Sequence, residues 1–162
     1  MLRNKLVELA KAELGKNITE TSKNQGPEIE KYWSATWYKD GYKNREPYCA
    51  AFICWLFQQG MKDNKFTFEN PQTPSAFGFE GWCLKQDRSV LLKRSGKISK
   101  GDLVIFNFSH IGIAIADEKD GLIVCIEANT SATSTGNQRD GGGVYQKTRK
   151  RSLIRSFVKI MV

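Results

Sequence analysis

The chain has 162 residues, 40% hydrophobic and 26% charged, which suits one compact domain over 1–162 with a core of its own and no second unit. No apolar run approaches the roughly 20 residues a bilayer span needs, so membrane insertion is not expected. The formal net charge of +8, from 25 Lys and Arg against 17 Asp and Glu, favours polyanionic partners, either nucleic acid, an anionic membrane face or an acidic cell wall, without choosing among them.

The N-terminal MLRNKLVELAKAEL carries charges every few residues, unlike the apolar stretch of a secretory signal, so synthesis in a cytoplasm and retention there until release are expected. The same segment spaces Leu2, Leu6, Leu9, Ala10 and Leu14 as a helix does, and Gly15 ends it. A polar stretch then leads to Pro27, which opens a second short helix, PEIEKYW. Tyr32, Trp33, Trp37, Tyr38 and Tyr42 follow in a turn-rich segment, where most pack on the domain and a few suit contact with sugar or peptide.

Pro47 opens a third helix, YCAAFICWLFQQG, closed by Gly60 and apolar nearly all round, hence the central buried helix. Beyond it an irregular connection with a short helix near Trp82 is expected. From Ser99 onward the period becomes two, and DLVIF, HIGIAIA, LIVCIEAN, GVYQKTR and IRSFVKIMV read as about five consecutive antiparallel strands. Helices first and a strand meander second define an α+β fold. The Gly- and Ser-rich TSATSTGNQRDGGG between strands reads as a loop beside a site.

Four cysteines, Cys49, Cys54, Cys83 and Cys125, form no C-x-x-C pair and read as thiols, and a zinc site is not expected beside a single histidine. Cys49 falls in the first turn of the buried helix, where free backbone N–H groups and the positive end of the helix dipole favour a thiolate and can hold an oxyanion. Cys54, deeper in the same helix, is a core residue. Any Cys–His chemistry must use His110, the only histidine. His110 opens a strand on which Ile111, Ile113 and Ile115 share one face and Gly112, Ala114 and Ala116 share the face of His110. That small face is the one expected to receive the helix of Cys49. A tight turn at DEKD places Ile111 opposite Ile126, Ile113 opposite Val124, Gly112 opposite Cys125 and His110 opposite Glu127. A carboxylate at that position orients the imidazole, and Asn129 on the same face joins the cluster.

Taken together, PYCAAFICWLFQQG, GDLVIFNFSHIGIAI and CIEANTS resemble the three signature segments of CHAP domains, the cysteine, histidine-dependent amidohydrolases and peptidases. The wider match is to the phage-lysin type and covers most of the chain. The resemblance implies a papain-like (NlpC/CHAP-type) core with Cys49 as nucleophile, His110 as base, Glu127 as the acidic third member and Asn129 as the amide residue beyond it. It implies a peptidoglycan hydrolase, either an N-acetylmuramoyl-L-alanine amidase or an endopeptidase, with no cofactor and with bacterial peptidoglycan, not nucleic acid, as partner. Targeting would then come from a separate wall-binding subunit or domain or from the basic surface. Tyr48, Trp37 and Trp82 are the expected substrate contacts. KDGYKNREPYC offers only Asp40, Asn44 and Glu46 among cations, so no calcium or other metal is expected. Rival readings are an interbacterial toxin or NlpC-type autolysin with the same chemistry, and a non-catalytic basic wall-binding module.

Overall fold

A computed structural model describes residues 1–162, an α+β fold of four helices and one six-stranded antiparallel sheet. Helix α1 spans Leu2–Leu14 and buries Leu2, Leu6, Val7 and Ala10 along one stripe, the spacing that a 3.6-residue period requires. Its Glu13 is buried too. The carboxylate pairs with Lys16 (2.7 Å) and Lys31 (2.8 Å) and accepts from the Tyr32 hydroxyl (2.6 Å), which ties α1 to the single turn α2, Glu30–Trp33.

Helix α3, Cys49–Gly60, buries nine of its twelve residues, as its all-round apolarity demands. Gly60 lets α1 approach closely, because a Cβ there would stand 3.0 Å from Leu2 Cδ1 and 3.2 Å from Leu6 Cδ2. The short α4, Gly78–Leu84, follows the irregular connection.

The strands are β1 (Val90–Lys93), β2 (Leu103–Phe106), β3 (His110–Ala114), β4 (Leu122–Thr130), β5 (Gly143–Lys150) and β6 (Ile154–Ile160), in spatial order β1-β6-β2-β3-β4-β5. Strands β2 to β5 form the expected meander. The last strand then crosses back and inserts between β2 and β1, an arrangement not anticipated because the four-residue β1, VLLK, lies far from its partner in sequence. No helix is long and apolar enough to cross a membrane.

The four helices and one face of the sheet share the main core, in which Leu103, Ile105, Ile111, Ile113, Ile126 and Val158 meet Phe52, Leu56 and Phe57. Burying each isoleucine there contributes about 1.5–3 kcal/mol. The other face carries a smaller cluster built on Val104, Phe106, Ala114, Ile123, Cys125 and Phe157. This corrects the expected assignment of faces. The helix layer packs on the isoleucines, where the larger apolar area lies, and not on the small face of Gly112 and Ala114.

The β3–β4 register is corrected as well. Ile113 pairs with Ile126 and Ala114 with Cys125, two residues from the expected alignment. The turn is centred on Asp120 and Gly121, with φ of 53° and 71°, and is closed by hydrogen bonds in both directions between Lys119 and Leu122. Positive φ at both central residues is what an Asp-Gly hairpin turn takes up. It moves the reversal from the middle of DEKD to its last residue, Asp120, and Gly121, with an irregular step between this turn and the Ile113–Ile126 ladder. A two-residue slip preserves which side chains share a face.

Candidate active site

Cys49 begins α3, and no side chain caps that helix, so its first-turn N–H groups are left free. The thiol is 5% exposed and opens onto a cleft of about 400 Å3, bordered by Trp37, Tyr38, Pro74, Ala76, Ser109 and Arg139. A larger hollow of about 760 Å3 beside Met1, Asp63 and Val162 is lined by neither cysteine nor histidine. Cys54, Cys83 and Cys125 are buried thiols as well, and burial pushes all three up in pKa, Cys83 to about 11. They are core groups. No three His, Cys, Asp or Glu side chains gather closely enough to hold a metal ion.

His110 is fully buried at the start of β3, following Ser109, whose φ of 58° turns the chain into the strand. Its ring stacks with Phe106 (5.8 Å) and Phe108 (5.7 Å). Nε2 stands 2.8 Å from Glu127 Oε1, an ion-pair contact rather than an aligned hydrogen bond, and this leaves Nδ1 as the nitrogen available to the thiol. Burial alone would lower the imidazole pKa. The neighbouring Cys49 and then Glu127 outweigh it, and the imidazole is raised to about 9.

Glu127 reaches His110 along a diagonal, because the observed register sets it across from Gly112. A Cβ on Gly112 would lie 2.7 Å from Glu127 Cγ, so the glycine supplies the space the carboxylate crosses. The carboxylate is fully buried and is gripped by Arg149, through Nε at 2.8 Å to one oxygen and Nη2 at 2.6 Å to the other. Burial would raise its pKa, but the hydrogen bonds from Arg149 and the ion pair with His110 hold it below the ordinary range. The guanidinium lies over Phe106 (5.4 Å) and Phe108 (5.6 Å) and also bonds Gln138 Oε1 (3.1 Å).

Arg149 was not foreseen from the sequence. Two signals pointed to it: a carboxylate buried on a sheet face needs a cation, and KTRK on the next strand puts Lys147 and Arg149 on that face.

The remaining expected residues fall elsewhere. Asn129 sits at a bulge between Ala128 and Thr130 with φ of 58°, which breaks the strand alternation. Its side-chain amide lies beside Glu20, Asn24 and Gly141 and donates to Arg139 O (3.3 Å) rather than reaching the imidazole. Tyr48 is fully buried, and its hydroxyl donates to Glu20 Oε1 (3.1 Å). It therefore braces the start of α3 and does not reach the cleft. Trp82 donates its indole N–H to Glu69 O (3.0 Å), packs edge-on against Phe57 (5.5 Å), and borders a neighbouring groove. Trp37, 66% exposed, stands on the ridge between that groove and the cleft of Cys49. The structure thus brings together Cys49, His110 and Glu127, with Trp37 at the entrance and Arg149 behind.

Compared with known proteins, the chain matches no family model and no curated protein.

Proposed function

We propose that the chain is a cysteine hydrolase of the CHAP type, papain-like in its core and acting on an amide or peptide bond of bacterial peptidoglycan. One observation carries this reading: a buried Cys–His–Glu arrangement, with His110 2.8 Å from Glu127 and against Cys49, opening through the start of an uncapped helix into a cleft. A wall-binding module has no use for such an arrangement, since a buried charge cluster costs stability unless something else requires it.

In the attacking state the proton of Cys49 sits on His110, whose charge faces the Glu127 carboxylate that Arg149 holds. The thiolate attacks the amide carbonyl, and the carbonyl oxygen becomes an oxyanion held by the Cys49 N–H at the head of α3. His110, protonated at neutral pH, then gives its proton to the departing nitrogen. The acyl-enzyme is released by a water whose proton the now neutral imidazole accepts. Glu127 holds the ring in place through both steps, and Arg149 holds Glu127.

The test is turbidity loss and fragment mass spectrometry on purified peptidoglycan with the wild type and Cys49→Ala. Release of fragments that depends on Cys49 is expected, and their masses name the bond cut. An absence of fragments from walls of several types would overturn the peptidoglycan reading.

A further inference from the structure

The ionic groups that border the cleft of Cys49 are Glu46 and Arg139, both exposed. Neither takes part in an ion pair; the nearest one in sequence, Lys23–Asp140 at 3.9 Å, uses neither side chain. Arg139 is also not placed by chance. Its loop, residues 131–142, is braced from the sheet: Thr130 Oγ1 donates to Gln138 O (2.9 Å), Arg149 to Gln138 Oε1 (3.1 Å), and Lys147 Nζ to Ser131 O (2.8 Å) and Thr133 O (2.9 Å). Asn137 Oδ1 fixes the turn by accepting from the backbone N–H of Arg139 (3.0 Å) and Asp140 (2.8 Å). Arg149, which grips Glu127, therefore also holds the loop that presents Arg139.

An unpaired guanidinium beside a nucleophile is a ready receptor for a carboxylate, which its planar fork can bind through two N–H groups. We propose that Arg139 forms a carboxylate-binding subsite, so that the substrate is a peptide carrying a free carboxylate close to the amide that Cys49 attacks. The proposal rests on the hydrolase reading for the word substrate, but the subsite itself can be tested without one. Glu46 on the same cleft disfavours a second carboxylate there and suits an ammonium group of the same peptide.

The first experiment alkylates Cys49 with anionic iodoacetate and with neutral iodoacetamide, following Cys49 by peptide mass spectrometry. A unit charge bordering the same cleft as the thiol changes the iodoacetate-to-iodoacetamide rate ratio by about threefold at low salt. The ratio should fall by that factor in Arg139→Gln, stay near wild type in Arg139→Lys and rise in Glu46→Gln. A ratio unchanged in Arg139→Gln overturns the subsite.

The second experiment uses soluble muropeptides with free stem carboxylates and the same material after carbodiimide amidation. Amidation should slow the wild type by about tenfold, the loss of one charge-assisted pair, and should leave Arg139→Gln unaffected. Equal slowing of both proteins overturns the subsite. Wild type inert on both materials overturns peptidoglycan as the substrate, and the alkylation ratio then still decides whether the subsite exists.

Discussion

At the scale of single residues the site is a balance between burial and pairing. His110 is pushed toward the neutral form by burial and toward the imidazolium by Cys49 and Glu127, and pairing prevails with a pKa of about 9. If the imidazolium is the acid that protonates the leaving nitrogen, kcat/KM should fall as pH rises through about 9. Glu127→Gln removes one of the charges that hold the proton there. Its alkaline limb should move to lower pH and its rate should drop by about 100-fold or more, which a pH profile of both proteins checks. A limb unmoved by Glu127→Gln would show that the carboxylate does not act through His110. The same shift bears on stability. A group whose folded pKa is raised above its unfolded value of about 6.5 stabilises the fold fully below that value, and the contribution is lost as pH rises through about 9. Denaturant titrations should therefore find a larger gap between wild type and His110→Ala at pH 6 than at pH 9.5.

At the scale of elements, the glycine in β3 shapes the cluster of His110, Glu127 and Arg149. Gly112→Ala puts a methyl group 2.7 Å from Glu127 Cγ and 3.1 Å from Ile126 O, and the carboxylate cannot swing away because Arg149 and His110 hold it. The variant should lose about 1–3 kcal/mol of stability, and its activity should fall further than the loss of folded protein explains. Thermal melting alongside activity at a temperature where the variant is folded separates the two effects. A variant with normal activity would mean that the carboxylate's path over Gly112 is unimportant.

The sequence carried much of this. The period of the apolar residues sets α1 at Leu2–Leu14, and the all-apolar run sets α3. The pairing of His110 with Glu127 was legible because a two-residue slip leaves side chains on the same face. The register itself was not, since a turn centred in DEKD competes with one at its last residue, Asp120, and Gly121, and the latter pair takes positive φ twice. The placement of Asn129 was lost to a bulge, and β1 to a partner at the far end of the chain. The face that α3 covers was misjudged because flatness was weighed above buried apolar area.

At the scale of the whole molecule, the net charge of +8 is a long-range property separate from the site. If it concentrates the protein on an anionic wall, raising ionic strength from 0.05 M to 0.5 M should slow hydrolysis of whole walls by about tenfold through KM, because the screening length shrinks to a few ångströms. Soluble muropeptides, too small to sense the field of the entire surface, should be affected much less. Equal salt sensitivity for both would place the effect in the cleft. The claim on which everything else depends is that Cys49 becomes acylated. Soluble muropeptides mixed with the protein and quenched in acid within a turnover should leave an adduct on the intact protein, mapped by digestion to the peptide containing Cys49 and missing from Cys49→Ala. Fragment release that persists in Cys49→Ala, with no adduct on the wild type, would contradict it.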